Sequence, residues 1–90
     1  RKTTFLFDKV EKKYLEEMQR ALVPWASKNP SIRELYAGYY LNTKGAPYYM
    51  IGIAGDADFA EMAEGADAAL RTTFNKHVDF EYFDITGYFL

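Results

Sequence analysis

The 90-residue chain has no cysteine. That excludes a disulfide framework, a thiolate nucleophile and Cys-ligated zinc, so the fold must rest on packing alone. No apolar run approaches the ~20 residues needed to span a bilayer, and no signal-peptide pattern is present, so a membrane is not an expected partner. Basic charge is not in excess. Eleven Lys and Arg against thirteen Asp and Glu give a net charge of -2, which offers no general attraction to nucleic-acid phosphates or anionic lipid. A phosphate-cradling loop is missing too, because Gly52-Ile53-Ala54-Gly55 lacks both the P-loop lysine and the dinucleotide-binding spacing. His77 is the only histidine.

What is abundant is apolar and aromatic. Hydrophobic residues at 49% and charged residues at 27% describe an ordinary globular chain, and its length suits one small domain spanning 1–90. Eight Tyr and seven Phe exceed what a minimal core needs, so some must face outward. The chain begins at Arg1 rather than Met and is read as a domain excised from a longer chain. The lack of cysteine fits a reducing cytoplasm.

The stretch Ile32 to Gly55 reads as a β-hairpin around Asn42-Thr43-Lys44-Gly45-Ala46, with Gly45 supplying the positive φ of a short loop. Leu35, Ala37, Tyr39 and Leu41 share the better core face of its first strand, and Tyr49, Ile51 and Ile53 share that of the second. The opposite face carries Tyr36, Gly38, Tyr40, Tyr48, Met50, Gly52 and Ala54. Before the hairpin, Thr3 to Phe7 is a predicted strand. Asp8 with Glu11 has capping-box spacing, which predicts a helix from there. Its stripe is Val10, Tyr14, Leu15, Met18, Ala21, Leu22 and Trp25, and Pro24 is expected to kink or end it. After the hairpin, Asp58 with Glu61 repeats the capping spacing ahead of a second helix, in which Gly65 is a weak point unless close packing needs the space. Val78 to Ile85 alternates as a last strand, with Val78, Phe80 and Tyr82 opposite Asp79, Glu81 and Phe83. Thr86 to Leu90 is a tail apolar enough to dock but short enough to fray.

The order β-α-β-β-α-β, combined with right-handed crossovers, predicts an α+β, ferredoxin-like fold: a four-stranded antiparallel sheet with two helices on one face.

With the helix running into a Pro-containing turn, the strand IRELYAGYYL, the run YYMIGIAGDADF leading into a helix and the closing VDFEYFDITG, the chain resembles the C-terminal domain of SseB-like proteins, named for enhanced serine sensitivity. Leu35-Tyr36-Ala37 stands where that family usually has Ala-Tyr-Leu, and Val10 stands where a proline is common. The resemblance implies a bacterial, cytoplasmic accessory domain that follows another SseB-like domain. It transfers no catalytic motif.

Each candidate site has a plain alternative. A histidine such as His77, beside Asp79, could titrate near neutrality, but the expected role is that of a helix-terminal His that stabilises the last carbonyls. Asp56, Asp58 and Glu61 offer oxygen ligands for a hard cation, yet helix capping accounts for two of them and the EF-hand ladder is absent. Asp79, Glu81 and Asp84 read as charges that guard an edge strand. No nucleophile, base and orienting group can be assembled, so no enzyme, cofactor or metal is expected. What remains is the set Tyr36, Tyr40, Tyr48, Met50 and Phe83 on the face away from the helices, a contiguous aromatic and Met surface suited to contact. The expected role is a non-enzymatic interaction or accessory domain that uses this open face for dimerisation or for docking another protein domain. The alternative is a small-ligand, amino-acid-binding regulatory domain of ACT-like topology, although the turn Phe7-Asp8-Lys9 lacks the glycine such sites use. Binding of RNA on the aromatic face ranks last, for want of basic charge and an RNP1-type sequence.

Overall fold

The hairpin's central core residues Leu35, Ala37, Ile51 and Ile53 sit at odd positions, and this alternation organises the molecule, with Ile32 and Ala54 also buried where the two strands begin and end. The computed structural model describes residues 3–74 and 78–89. In chain order the elements are β1 (Thr4–Asp8), α1 (Lys12–Ser27), β2 (Ile32–Leu41), β3 (Pro47–Gly55), α2 (Phe59–Arg71), β4 (Phe80–Asp84) and a single 3₁₀ turn at Thr86–Phe89. β2 and β3 form the expected hairpin. Gly45 has φ of +81° in its loop, and the Asn42 side chain accepts the N–H groups of Lys44 and Ala46 at 2.8 and 2.9 Å, satisfying a tight turn locally.

Leu35, Ala37, Ile51 and Ile53 are buried against Met18, Leu22 and Ala26 of α1 and Met62, Ala66 and Leu70 of α2. Both helices therefore lie on one face of the sheet. Tyr39 and Leu41 share the direction of the core residues, but the hairpin tip projects beyond the helices, and Leu41 is left 61% exposed. α1 runs through Pro24 to Ser27. Its end is closed by the Asn29 amide, which donates to the Trp25 carbonyl at 2.7 Å, so the proline neither ends the helix nor leaves its last turn unsatisfied.

Two expectations are corrected. The first concerns the start of α1. The strand β1 continues through Asp8, which pairs with Gly38, and the chain then turns through Lys9 at φ of +53°. The helix cannot begin until this turn is complete, and its N-cap is Glu11, with no side-chain cap bond. Asp8 ends a strand rather than opening a helix.

The second concerns the sheet. Its order is β1-β2-β3-β4. β1 runs parallel to β2 and β3 parallel to β4, while β2 and β3 are antiparallel. The sheet is mixed, not antiparallel, and each crossover joins immediate neighbours instead of interleaving. With both helices on one face and the two parallel pairs running in opposite directions, stepping β1 to β2 and β3 to β4 requires crossovers of opposite hand. The Tyr49 N–H donates to the Asp79 carbonyl at 2.8 Å and the Ile53 carbonyl accepts from the Ile85 N–H at 3.0 Å. Helix-facing residues of β3 thus turn their backbone groups toward β4, which for L-residues makes β3-α2-β4 right-handed. β1-α1-β2 is therefore left-handed, against a rule obeyed by about 98% of such connections. The interleaved arrangement predicted above follows only if both crossovers obey it.

Candidate functional site

On the face away from the helices, β2 presents Tyr36, Gly38 and Tyr40, and β3 presents Tyr48, Met50 and Gly52. Tyr36 pairs with Gly52, Gly38 with Met50 and Tyr40 with Tyr48. The rings of Tyr36 and Tyr40 fold over Gly38, where a Cβ would stand 2.6 Å from Tyr40 Cε2 and 2.9 Å from the Tyr36 hydroxyl. Their hydroxyls share a hydrogen bond of 2.6 Å. Burial, followed by this bond and the neighbouring charges of Tyr40 and Asp8, holds the Tyr36 phenol well above its ordinary value.

Across the sheet from these rings lies the chain that follows β4. Ile85 is buried over Gly52, where a Cβ would come within 3.0 Å of two of its side-chain atoms. The 3₁₀ turn after it is tied twice at its first residue, Thr86. The Thr86 N–H donates to Asp84 Oδ1 at 3.0 Å, and the Gly55 N–H donates to Thr86 Oγ1 at 3.2 Å. The hydroxyl and backbone of Thr86 together hold the Asp84 carboxyl below its ordinary range. Tyr88 stands 83% exposed beside Phe83 at 41%.

Between the two sides is an apolar cleft of about 360 Å³, lined by Tyr36, Tyr40, Met50, Phe83, Asp84, Ile85 and Tyr88. Four of the five residues singled out from the sequence meet here. The fifth, Tyr48, packs beside Tyr40 at 6.1 Å between ring centroids and faces the neighbouring grooves at the hairpin end. Tyr88 was missed because the tail had no periodicity to place it, and Ile85, read as the end of the last strand, was left out although it has the parity of Phe83. The available signal was Asp84 two residues before Thr86, an Asx-turn spacing that fixes a short turn locally.

A second cleft of about 380 Å³ opens on the other side, at the turn from β1 into α1. Lys9, Glu11, Tyr14, Tyr39, Tyr49 and Asp79 are among its walls. Tyr49 is in edge contact with Tyr14 and Tyr39, at 6.1 and 5.4 Å between centroids. Burial and the surrounding tyrosines and Glu11 raise its phenol. Lys9 takes the left-handed conformation that a glycine would supply, so this turn achieves the shape without the residue.

The acidic candidates have other employment. Asp56 pairs with Arg33 at 3.3 Å, and Asp58 accepts the Glu61 N–H at 3.3 Å to cap α2. Among the described residues no group of three His, Cys, Asp or Glu side chains could hold a metal ion, and no helix is long and apolar enough to cross a membrane. His77 lies outside the described residues. Compared with protein-family models, curated protein sequences and solved structures, the chain matches none of them.

Proposed function

We propose that the chain is a non-catalytic interaction domain, an accessory module of an SseB-like cytoplasmic protein, that docks another protein domain through its open sheet face. The observation that carries this reading is the apolar cleft between the Tyr36–Tyr40 pair and Phe83, Ile85 and Tyr88. It has the makings of a contact site: ring walls with polar tips and a deformable Met50 floor. An anilinonaphthalene sulfonate dye, which reports accessible apolar surface, tests the site directly. The native chain is expected to bind it saturably, and Met50→Glu to abolish binding while leaving the far-UV circular dichroism unchanged. Dye binding indifferent to Met50→Glu, or a variant that unfolds, would put Met50 outside an accessible cleft and overturn the reading.

The second reading is a small-ligand regulatory domain. ACT-like topology no longer supports it, because the parallel neighbours found here differ from the interleaved sheet on which that comparison rested. It is favoured instead by the cleft beside Lys9, where a left-handed turn, a helix start and four tyrosines surround an open volume. Free amino acids that bind there must raise the melting temperature with concentration. A flat response across millimolar amino acids removes this reading.

A further inference from the structure

The two edges of the sheet are built differently. β4 and its approach carry Asp79, Glu81 and Asp84, like charges that oppose pairing of this edge with itself. β1 is Thr-Phe-Leu-Phe-Asp, with one charge at its end, no proline, and apolar side chains left open on both faces: Leu6 is 38% exposed and Phe7 56%. Its backbone is equally unguarded. The Asn42 N–H bonds to the Ala46 carbonyl at 2.8 Å, so even residues of β2 serve β3 and odd ones, Leu35 and Ala37, serve β1. In the parallel register of Phe5 with Leu35 and Phe7 with Ala37, the groups that answer them belong to Thr4, Leu6 and Asp8. The N–H and C=O groups of Phe5 and Phe7 then point away from the sheet.

We infer that the β1 edge is a self-association surface whose occupant is a second copy of this chain, joined antiparallel across a two-fold axis at Leu6. In that register Phe5 of each copy forms a hydrogen-bonded pair with Phe7 of the other, which uses all four outward backbone groups on each strand and buries the exposed Phe7 ring against an aromatic neighbour. Leu6 faces its own image as a close, non-hydrogen-bonded pair. Thr4 falls opposite Asp8, so the single charge meets no like charge. The sheet becomes eight-stranded with all four helices on one side. The exposed flank of α1 bears Glu16, Arg20 and Val23, and offers both signs of charge to an antiparallel image of itself. A five-residue edge alone falls short of the ~1,200 Å² that a stable interface buries, so the dimer is concentration-dependent.

Because the chain has no cysteine, one introduced thiol reports the register. Leu6→Cys is expected to form a disulfide-linked dimer under mild oxidation, since opposed non-hydrogen-bonded positions are about 4.5 Å apart between Cα atoms. Thr4→Cys places its two thiols about 13 Å apart along the strands and is expected to crosslink at least tenfold more slowly. Sedimentation of the native chain over a hundredfold dilution is expected to show a dimer dissociating to monomer, and Leu6→Lys a folded monomer throughout. A native chain that is monomeric at every concentration overturns the proposal, as do equal crosslinking rates for the two thiol variants. A dimer that survives Leu6→Lys but is lost in Tyr40→Glu also overturns it, and would assign self-association to the open face instead.

Discussion

Gly65 stands in the middle of α2, where glycine costs a helix about 1 kcal/mol relative to alanine. The reason for it is on the other helix. A Cβ at position 65 would lie 2.8 Å from Nε1 and 3.0 Å from Cζ2 of Trp25, and a flat indole held between two helices cannot step aside cheaply. Overpacking of this kind costs about 1–3 kcal/mol, which outweighs the gain in propensity. Gly65→Ala is therefore expected to lower stability by about 1–2 kcal/mol in urea denaturation. Made in a Trp25→Leu background, the same substitution should become neutral or stabilising. If Gly65→Ala stabilises the native chain, the two helices do not meet at this point. The sequence offered the question, since an unforced glycine in a helix is a warning, but not the answer, because nothing in the chain says which side chain comes across.

At the level of elements, the two capping-box spacings in the chain have different outcomes. Asp58 Oδ2 accepts the Glu61 N–H and fixes the start of α2, whereas Asp8 is paired in β1 and caps nothing. Asp58→Ala is expected to cost about 1 kcal/mol of unfolding free energy by urea titration, while Asp8→Ala changes stability by less than about 0.5 kcal/mol. A comparable loss at both positions would mean that Asp8 does reach the first turn of α1. The pattern Asp-x-x-Glu is local, and what separates the two cases is the preceding residues' commitment to a strand, which depends on pairing with Gly38 far along the chain. Period-two alternation was legible for the same reason that the cap at Asp8 was not. Leu35, Ala37, Ile51 and Ile53 declare their face within their own strands, and so did Tyr36, Tyr40, Met50 and Phe83 on the other. Which strand lies next to which is decided by the helices between them, and the left-handed step through α1 leaves no mark in periodicity. The far wall of the cleft, Ile85 and Tyr88, depends likewise on Asp84 and Thr86 folding the tail back over Gly52.

Across the whole molecule, one sheet has to bury aromatic hydroxyls on both faces around a small core, and this couples the fold to alkaline pH. On the open face the Tyr36 phenol is raised by burial and by its bond to Tyr40. On the helix face Tyr82 is raised first by burial and then by its hydrogen bond to Asp67, at 2.5 Å. Both begin from an ordinary value of 10.0. Below that value the phenols are protonated in folded and unfolded chains alike, and their contribution to stability is fully present. Above it the unfolded chain releases protons that the folded chain retains, so stability falls as pH rises. With solvent reaching both rings, the loss is discounted to about 1 kcal/mol per pH unit above pH 10. Trp25, the sole tryptophan, gives a fluorescence signal with which to follow urea unfolding between pH 8 and pH 11. Tyr82→Phe should cost about 1 kcal/mol at pH 8, where the bond to Asp67 is lost, and should then decline less steeply than the native chain above pH 10. Parallel declines in the two proteins would mean that Tyr82 titrates as freely when folded as when unfolded. The bond between β4 and α2 would then not persist in solution, and α2 would be held to the β4 side by the packing of Phe80 and Phe74 and by Arg71, which donates to the Val78 carbonyl and lies over the Phe80 ring.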